Sequence, residues 1–173
     1  MPKIQHLAAL LALSPLAASA AASKYLCHAD EQVIFGCAVG KRMVSLCASP
    51  KVGRDAGYVQ YRFGTLARLE LTYPTSLEPP AEKFHISTTG YSGGGAARLR
   101  FSIAGFDYVL FDSVVRTNFT PGEPNNPAFS AGIATVRDGK VVSRHKCTDN
   151  DTGLAVPEGD VFPEEDFNVD LDL

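Results

Sequence analysis

ARLRFSIAGFDYVLFDSV, residues 97–114, decides the fold class. Polar and apolar residues alternate on both sides of Ala104-Gly105, as they do in two half-buried strands around a tight turn. A two-residue turn there sets Ile103 opposite Phe106, Phe101 opposite Tyr108 and Leu99 opposite Leu110. All six are apolar or aromatic, so they form one core face. Arg98, Arg100 and Ser102 then share the other face with Phe111, Val109 and Asp107.

The same period runs outward in both directions. Gly40-Lys41 fits a two-residue turn, with glycine supplying the positive φ, and Asp138-Gly139 is a strong turn signal between Val136 and Val141. Val59, Tyr61 and Phe63 share one face, and Leu69, Leu71 and Tyr73 share one face of the next strand. Those faces coincide only if the connection has an odd number of residues, such as Gly64-Thr65-Leu66. Pro74 ends that strand, because proline cannot donate to the ladder. The expected strands are 31–39, 42–48, 57–63, 67–73, 84–88, 97–103, 106–114, 131–137 and 140–146. This is an all-β pattern, an antiparallel sandwich or strongly bent sheet of about 8–9 short strands. The two long loops, 74–83 and 117–128, are rich in proline, asparagine and small residues, the kind of segment that often carries function.

The N-terminus reads as an export signal spanning 1–22. Lys3 precedes an apolar run from Leu7 to Ala18, broken only by Ser14 and Pro15, and Ala18-Ser19-Ala20 has the small-x-small form that signal peptidase requires. The run is too short for a membrane span of about 20 residues, so no transmembrane segment is expected after cleavage. Lys24-Tyr25-Leu26 before Cys27 lacks the small residues of a lipidation site.

Cys27, Cys37, Cys47 and Cys147 all follow the cleavage point. An even count in an exported chain implies two disulfides. Three pairings are open, and the preferred one joins Cys27 to Cys37 and Cys47 to Cys147. Zinc sites bring cysteines in pairs two to four residues apart, which the wide spacing here does not, so no metal and no other cofactor is expected. Asp149-Asn150-Asp151-Thr152-Gly153 hints at a calcium loop, but its glycine falls one position early.

The net charge of −3 hides an asymmetry. Nine acidic residues and no basic ones follow Cys147, whereas the body before it is basic. Residues 23–147 are expected to form one β domain, and 148–173 an acidic tail. Val161, Phe162, Phe167, Val169 and Leu171 within the tail suggest that part of it docks on the body while the rest is mobile. An acidic exported protein is a poor candidate for nucleic acid.

Gly90-Tyr91-Ser92-Gly93-Gly94 matches G-x-S-x-G, with His145 and either Asp107 or Asp112 later in the chain. A nucleophile elbow needs a helix next, yet the following residues read as a strand. The motif is better taken as a glycine-rich turn or bulge whose backbone N–H groups could hold a partner. The candidate binding residues are therefore Tyr91, Ser92, Gly93 and Gly94, with Arg98 and Arg100 nearby.

Cys27…Gly36-Cys37…Gly40-Lys41…Ser45-Leu46-Cys47-Ala48-Ser49, Gly57-Tyr58-Val59-Gln60-Tyr61-Arg62-Phe63-Gly64, Leu69-Glu70-Leu71…Tyr73-Pro74 and Gly139-Lys140…Lys146-Cys147 resemble segments of a family of small exported proteobacterial proteins of unknown function. The resemblance implies an exported origin and carries no activity. In size, β content and cysteines the chain is also similar to periplasmic lysozyme inhibitors, which use a Ser-Gly loop beside an aromatic or basic residue. Ser92-Gly93 is present here and the rest of that motif is not matched, so this likeness is one of fold. The expectation is a periplasmic or secreted, non-enzymatic protein that binds an envelope or extracellular protein or glycan. The alternatives are a lysozyme-inhibitor-like protein, an assembly factor acting by strand addition, and a small hydrolase using Ser92.

Overall fold

A computed structural model describes residues 24–149 and 153–166. It contains β1 (Gln32–Val39), β2 (Arg42–Ala48), β3 (Val59–Thr65), β4 (Arg68–Tyr73), β5 (His85–Tyr91), β6 (Gly94–Ile103), β7 (Phe106–Arg116), β8 (Pro127–Arg137) and β9 (Lys140–Lys146), and no helix among these residues. Two antiparallel sheets result, one ordered β1-β2-β3-β4 and the other β5-β6-β7-β8-β9. The fold is therefore a sandwich of two sheets.

The hairpin that decided the class has the expected register, with Ile103 on Phe106, Phe101 on Tyr108 and Leu99 on Leu110. All of these side chains except Phe106 meet Ile34, Phe35, Val44, Leu46, Val59 and Tyr61 of the other sheet in one core. Phe101 sits at its centre, stacked on Tyr73 at 5.0 Å and on Tyr108 at 5.2 Å. On the opposite face of the second sheet, Val109, Phe111, Ala134 and Val136 form a smaller buried cluster. The central strand β7 is thus apolar on both faces.

The β3–β4 connection meets the parity requirement in an unexpected way. The turn is Leu66-Ala67, between paired Thr65 and Arg68, and not Gly64-Thr65-Leu66. The odd residue is supplied by a bulge, since Phe63 pairs with Leu71 and Gly64 with Leu69, leaving Glu70 extra. Tyr61 and Phe63 keep their apolar partners Tyr73 and Leu71, while Leu69 turns out to solvent. Gly64 is required there: its φ is +148°, and a Cβ would collide with the Arg68 carbonyl oxygen.

The disulfides are Cys27–Cys47 and Cys37–Cys147, which corrects the preferred pairing. In the β1–β2 hairpin Cys37 pairs with Val44 and points into the core. Cys47 is one residue out of phase with core residues Leu46 and Ala48, so it faces outward. Segment 24–31 covers that outer face. A Cβ on Gly36 would lie 2.6 Å from the Tyr25 ring, and Leu26 N–H donates to Ser45 Oγ at 3.1 Å. The Arg62 guanidinium, in turn, reaches both Glu31 oxygens at 2.6 and 2.7 Å and the Leu26 carbonyl at 2.9 Å.

The described part of the tail lies along both sheets. Thr148 N–H donates to Ala38 O and Ala155 N–H to Ile34 O, both on β1. Further on, Val161 and Phe162 are buried in the core. Ile86 N–H then donates to Pro163 O, and Glu165 N–H to Ile86 O, a parallel bridge on the open side of β5. The apolar tail residues Phe167, Val169 and Leu171 lie outside the described residues, as does the stretch 1–22 expected to be an export signal.

Candidate functional site

Strands β6, β7 and β8 are 10–11 residues long, against 6–8 in the first sheet. At about 3.4 Å per residue, the three middle strands of the second sheet outrun the first sheet by roughly three residues, or about 10 Å, whereas β5 and β9 have 7 residues each. The excess lies at one end, where β5 and β6 meet in the Ser92-Gly93 turn and β7 and β8 flank the loop 117–126.

The register defines the face that this overhang presents on the core side. Past the core row Ile86–Leu99–Leu110–Ile133 come Thr88, Ala97, Asp112 and Ala131, then Gly90, Gly95, Val114 and Phe129. Half of the last row lacks side chains. The outcome is an open trough of about 390 Å³ lined by Gly94, Gly95, Ala96, Ala97, Asp112, Ser113 and Val114. Its floor is nearly flat and apolar, with one carboxylate.

The tail positions that carboxylate. Asp112 Oδ2 accepts the Leu154 N–H at 3.0 Å, and Gly153 packs so close that a Cβ would come within 2.7 Å of it. Asp112 Oδ1 takes no hydrogen bond, and Asp112 makes no ion pair, among the described residues.

Exposed aromatic rings stand at this end of the sheet. Phe129 is 74% exposed, Phe119 65% and Tyr91 41%. Arg116 links two of the edges: its guanidinium lies 4.9 Å from the Phe119 ring centroid, and its side-chain carbons sit under Gly93, 3.2 Å from where a Cβ would be. Loop 117–126 is held by its own bonds, with Thr117 and Asn118 N–H both donating to Asn125 O and Asn118 Nδ2 to Pro124 O. These rings are therefore presented on a fixed frame.

No protein-family model, curated protein or solved structure matches this chain. The functional reading rests on the site alone.

The structure separates the residues singled out from the sequence. Tyr91, Ser92, Gly93 and Gly94 form the β5–β6 tip at the rim, with Tyr91 paired to Gly94. Arg98 and Arg100 lie on the other face of β6, about 13 and 20 Å along the strand from Gly94. Arg98 Nη1 donates to Thr89 Oγ1 at 3.3 Å. Arg100 grips Glu165 with two nitrogens and also reaches Asp107 at 3.1 Å. The pairing with Glu165 raises the Arg100 pKa further above its already high value. Arg100 thus anchors the tail and does not face the trough.

Ser92 sits in a strand–turn–strand hairpin, without the helix that an elbow requires. His145 lies on β9, three strand spacings beyond β6, about 14 Å. Two clusters have metal-ligand composition, Cys27 with Glu31 and Cys47, and Cys37 with Cys147 and Asp149. Their sulfurs are joined in disulfides, so in this state they are not thiolate ligands. Asp149, from the calcium-like stretch, instead accepts the Ala38 N–H at 2.9 Å. Asn150 to Thr152 lie outside the described residues.

The trough and two exposed rings at its end of the sheet, Phe119 and Phe129, went unread in the sequence. The period-two signal weakens where Gly90, Gly94 and Gly95 replace side chains, so these positions looked like a loop. An available signal was the apolar Phe129 two residues before the recognised strand 131–137, in phase with Ala131 and Ile133.

Proposed function

We propose that this is an exported, non-enzymatic binding protein that engages an envelope or extracellular protein or glycan through the overhanging end of its five-stranded sheet. The observation that carries this reading is the exposure of Phe129, Phe119 and Tyr91 at the end of the sheet that also holds the open trough. Exposed aromatic groups on a rigid frame supply contact area at little entropic cost. Export is supported by the two disulfides, which persist in oxidising compartments, and by the signal-like N-terminus. Strand addition at β1, β5 or β9 has less support, because the tail covers part of β1 and β5, and the β9 edge carries Lys140, Arg144 and Lys146, charges that discourage pairing.

The test is retention of the oxidised mature protein on isolated cell-envelope fractions. A Tyr91→Ala/Phe119→Ala/Phe129→Ala variant is expected to lose retention at an unchanged melting temperature. Equal retention of the two proteins would remove the tip from the proposal. Inhibition of lysozyme by the wild type would narrow the partner to that enzyme.

A further inference from the structure

We infer that the trough is a glycan subsite, taking one face of a neutral sugar ring between Phe129 and Asp112. This rests on the binding role proposed above and specifies its ligand.

Three features of the trough select this chemistry. First, it lies on a sheet face and not on an edge. The backbone N–H and C=O groups of β6 and β7, the two strands that line it, are paired on both sides within the sheet, so an extended peptide lying in the trough would find no main-chain partners there. A ligand whose polarity sits in hydroxyl groups needs no such ladder. Second, Asp112 offers one oxygen fixed by Leu154 N–H and one free to accept. With no cation paired to it among the described residues, it repels anions and suits a donor-rich, uncharged ligand. Third, Gly94 and Gly95 line the trough without side chains and Gly90 pairs with Gly95, so a flat ring can approach the backbone, with the exposed Phe129 paired to Val114 of the lining.

The dimensions agree. Asp112 and Phe129 are diagonal neighbours on β7 and β8, about 7–8 Å apart, a span that one pyranose ring bridges. Its apolar C–H face would lie on the ring of Phe129 while its edge hydroxyls donate to Asp112. The trough volume of about 390 Å³ falls at the small end of ligand sites, which span about 300–1,000 Å³.

The experiment is saturation-transfer NMR on the oxidised mature protein with chitotetraose, cellotetraose and maltotetraose as probes. At least one is expected to bind. Phe129→Ala and Gly90→Leu are each expected to weaken it by about tenfold or more, with melting temperatures unchanged. Gly90→Leu is suited to this purpose because a Cβ there meets nothing within 4 Å. Absence of transfer from all three probes would overturn the inference, as would binding of choline chloride in their place with the same dependence on Phe129. If envelope retention still depends on the aromatic tip, only the glycan assignment falls. If retention is indifferent to the tip as well, the binding role falls with it.

Discussion

Glu31 is the residue on which the N-terminal cover depends. Its side chain is fully buried against Arg62. Burial alone would raise the carboxyl pKa, but hydrogen bonds from Arg62, the His28 N–H and the Tyr58 hydroxyl, with the Arg62 charge, hold it below its usual value. A carboxylate with a depressed folded pKa adds stability above its unfolded pKa of about 4.3, and loses it as pH falls through the folded value. Glu31→Gln leaves the Arg62 charge buried, and the expected loss at neutral pH is about 3–5 kcal/mol. That loss should shrink below about pH 4, where the wild type surrenders the same interaction. Denaturant melts of both proteins across pH 3–7 check the sign.

At the scale of elements, turns and bulges set which face each strand shows. Ala104 has φ +50° beside Gly105 at +79°, a left-handed conformation that alanine adopts at a cost. Ala104→Asn should therefore stabilise the β6–β7 hairpin by up to about 1 kcal/mol, read as a raised denaturation midpoint with an unchanged slope. Asp138-Gly139 already has a favourable residue in the same conformation. The expected strands matched well at the turn ends of the hairpins. They stopped short at the far end of β5, β6, β7 and β8, where glycine, proline and small residues carry no alternation. The candidate site lies there, which is why it was the part least legible. A floor without side chains is useful to a ligand for the same reason that it leaves no pattern.

At the scale of the whole molecule, two covalent links and a returning tail close the sandwich. Cys37–Cys147 spans 110 residues and Cys27–Cys47 spans 20. Loop entropy assigns them about 5 and about 3 kcal/mol. A Cys37→Ala/Cys147→Ala variant should be the less stable of the two disulfide deletions, compared by urea melts under non-reducing conditions. Ending the chain at Thr152 removes the buried Val161 and Phe162 and Glu165, one of the two carboxylates that Arg100 holds. At about 1.5–3 kcal/mol per buried side chain, a loss of roughly 3–6 kcal/mol is expected. An unchanged melting temperature in the truncated chain would refute the tail's structural role.

The sequence by itself determined the period of the strands, the turns that join them and hence the all-β class, because backbone pleat and turn chemistry act over a few neighbouring residues. It also held part of the disulfide answer. With Gly40-Lys41 as a two-residue turn, Cys37 falls on the face of Val44 and Leu46, and Cys47 on the other. Which partners wait on those faces is a tertiary matter. Only the packing of one sheet on the other brought Cys147 to Cys37, the tail to β5, and Asp112 to the Leu154 amide. The overhang likewise exists only because one sheet ends before the other, a difference between two distant stretches of chain that no local pattern records.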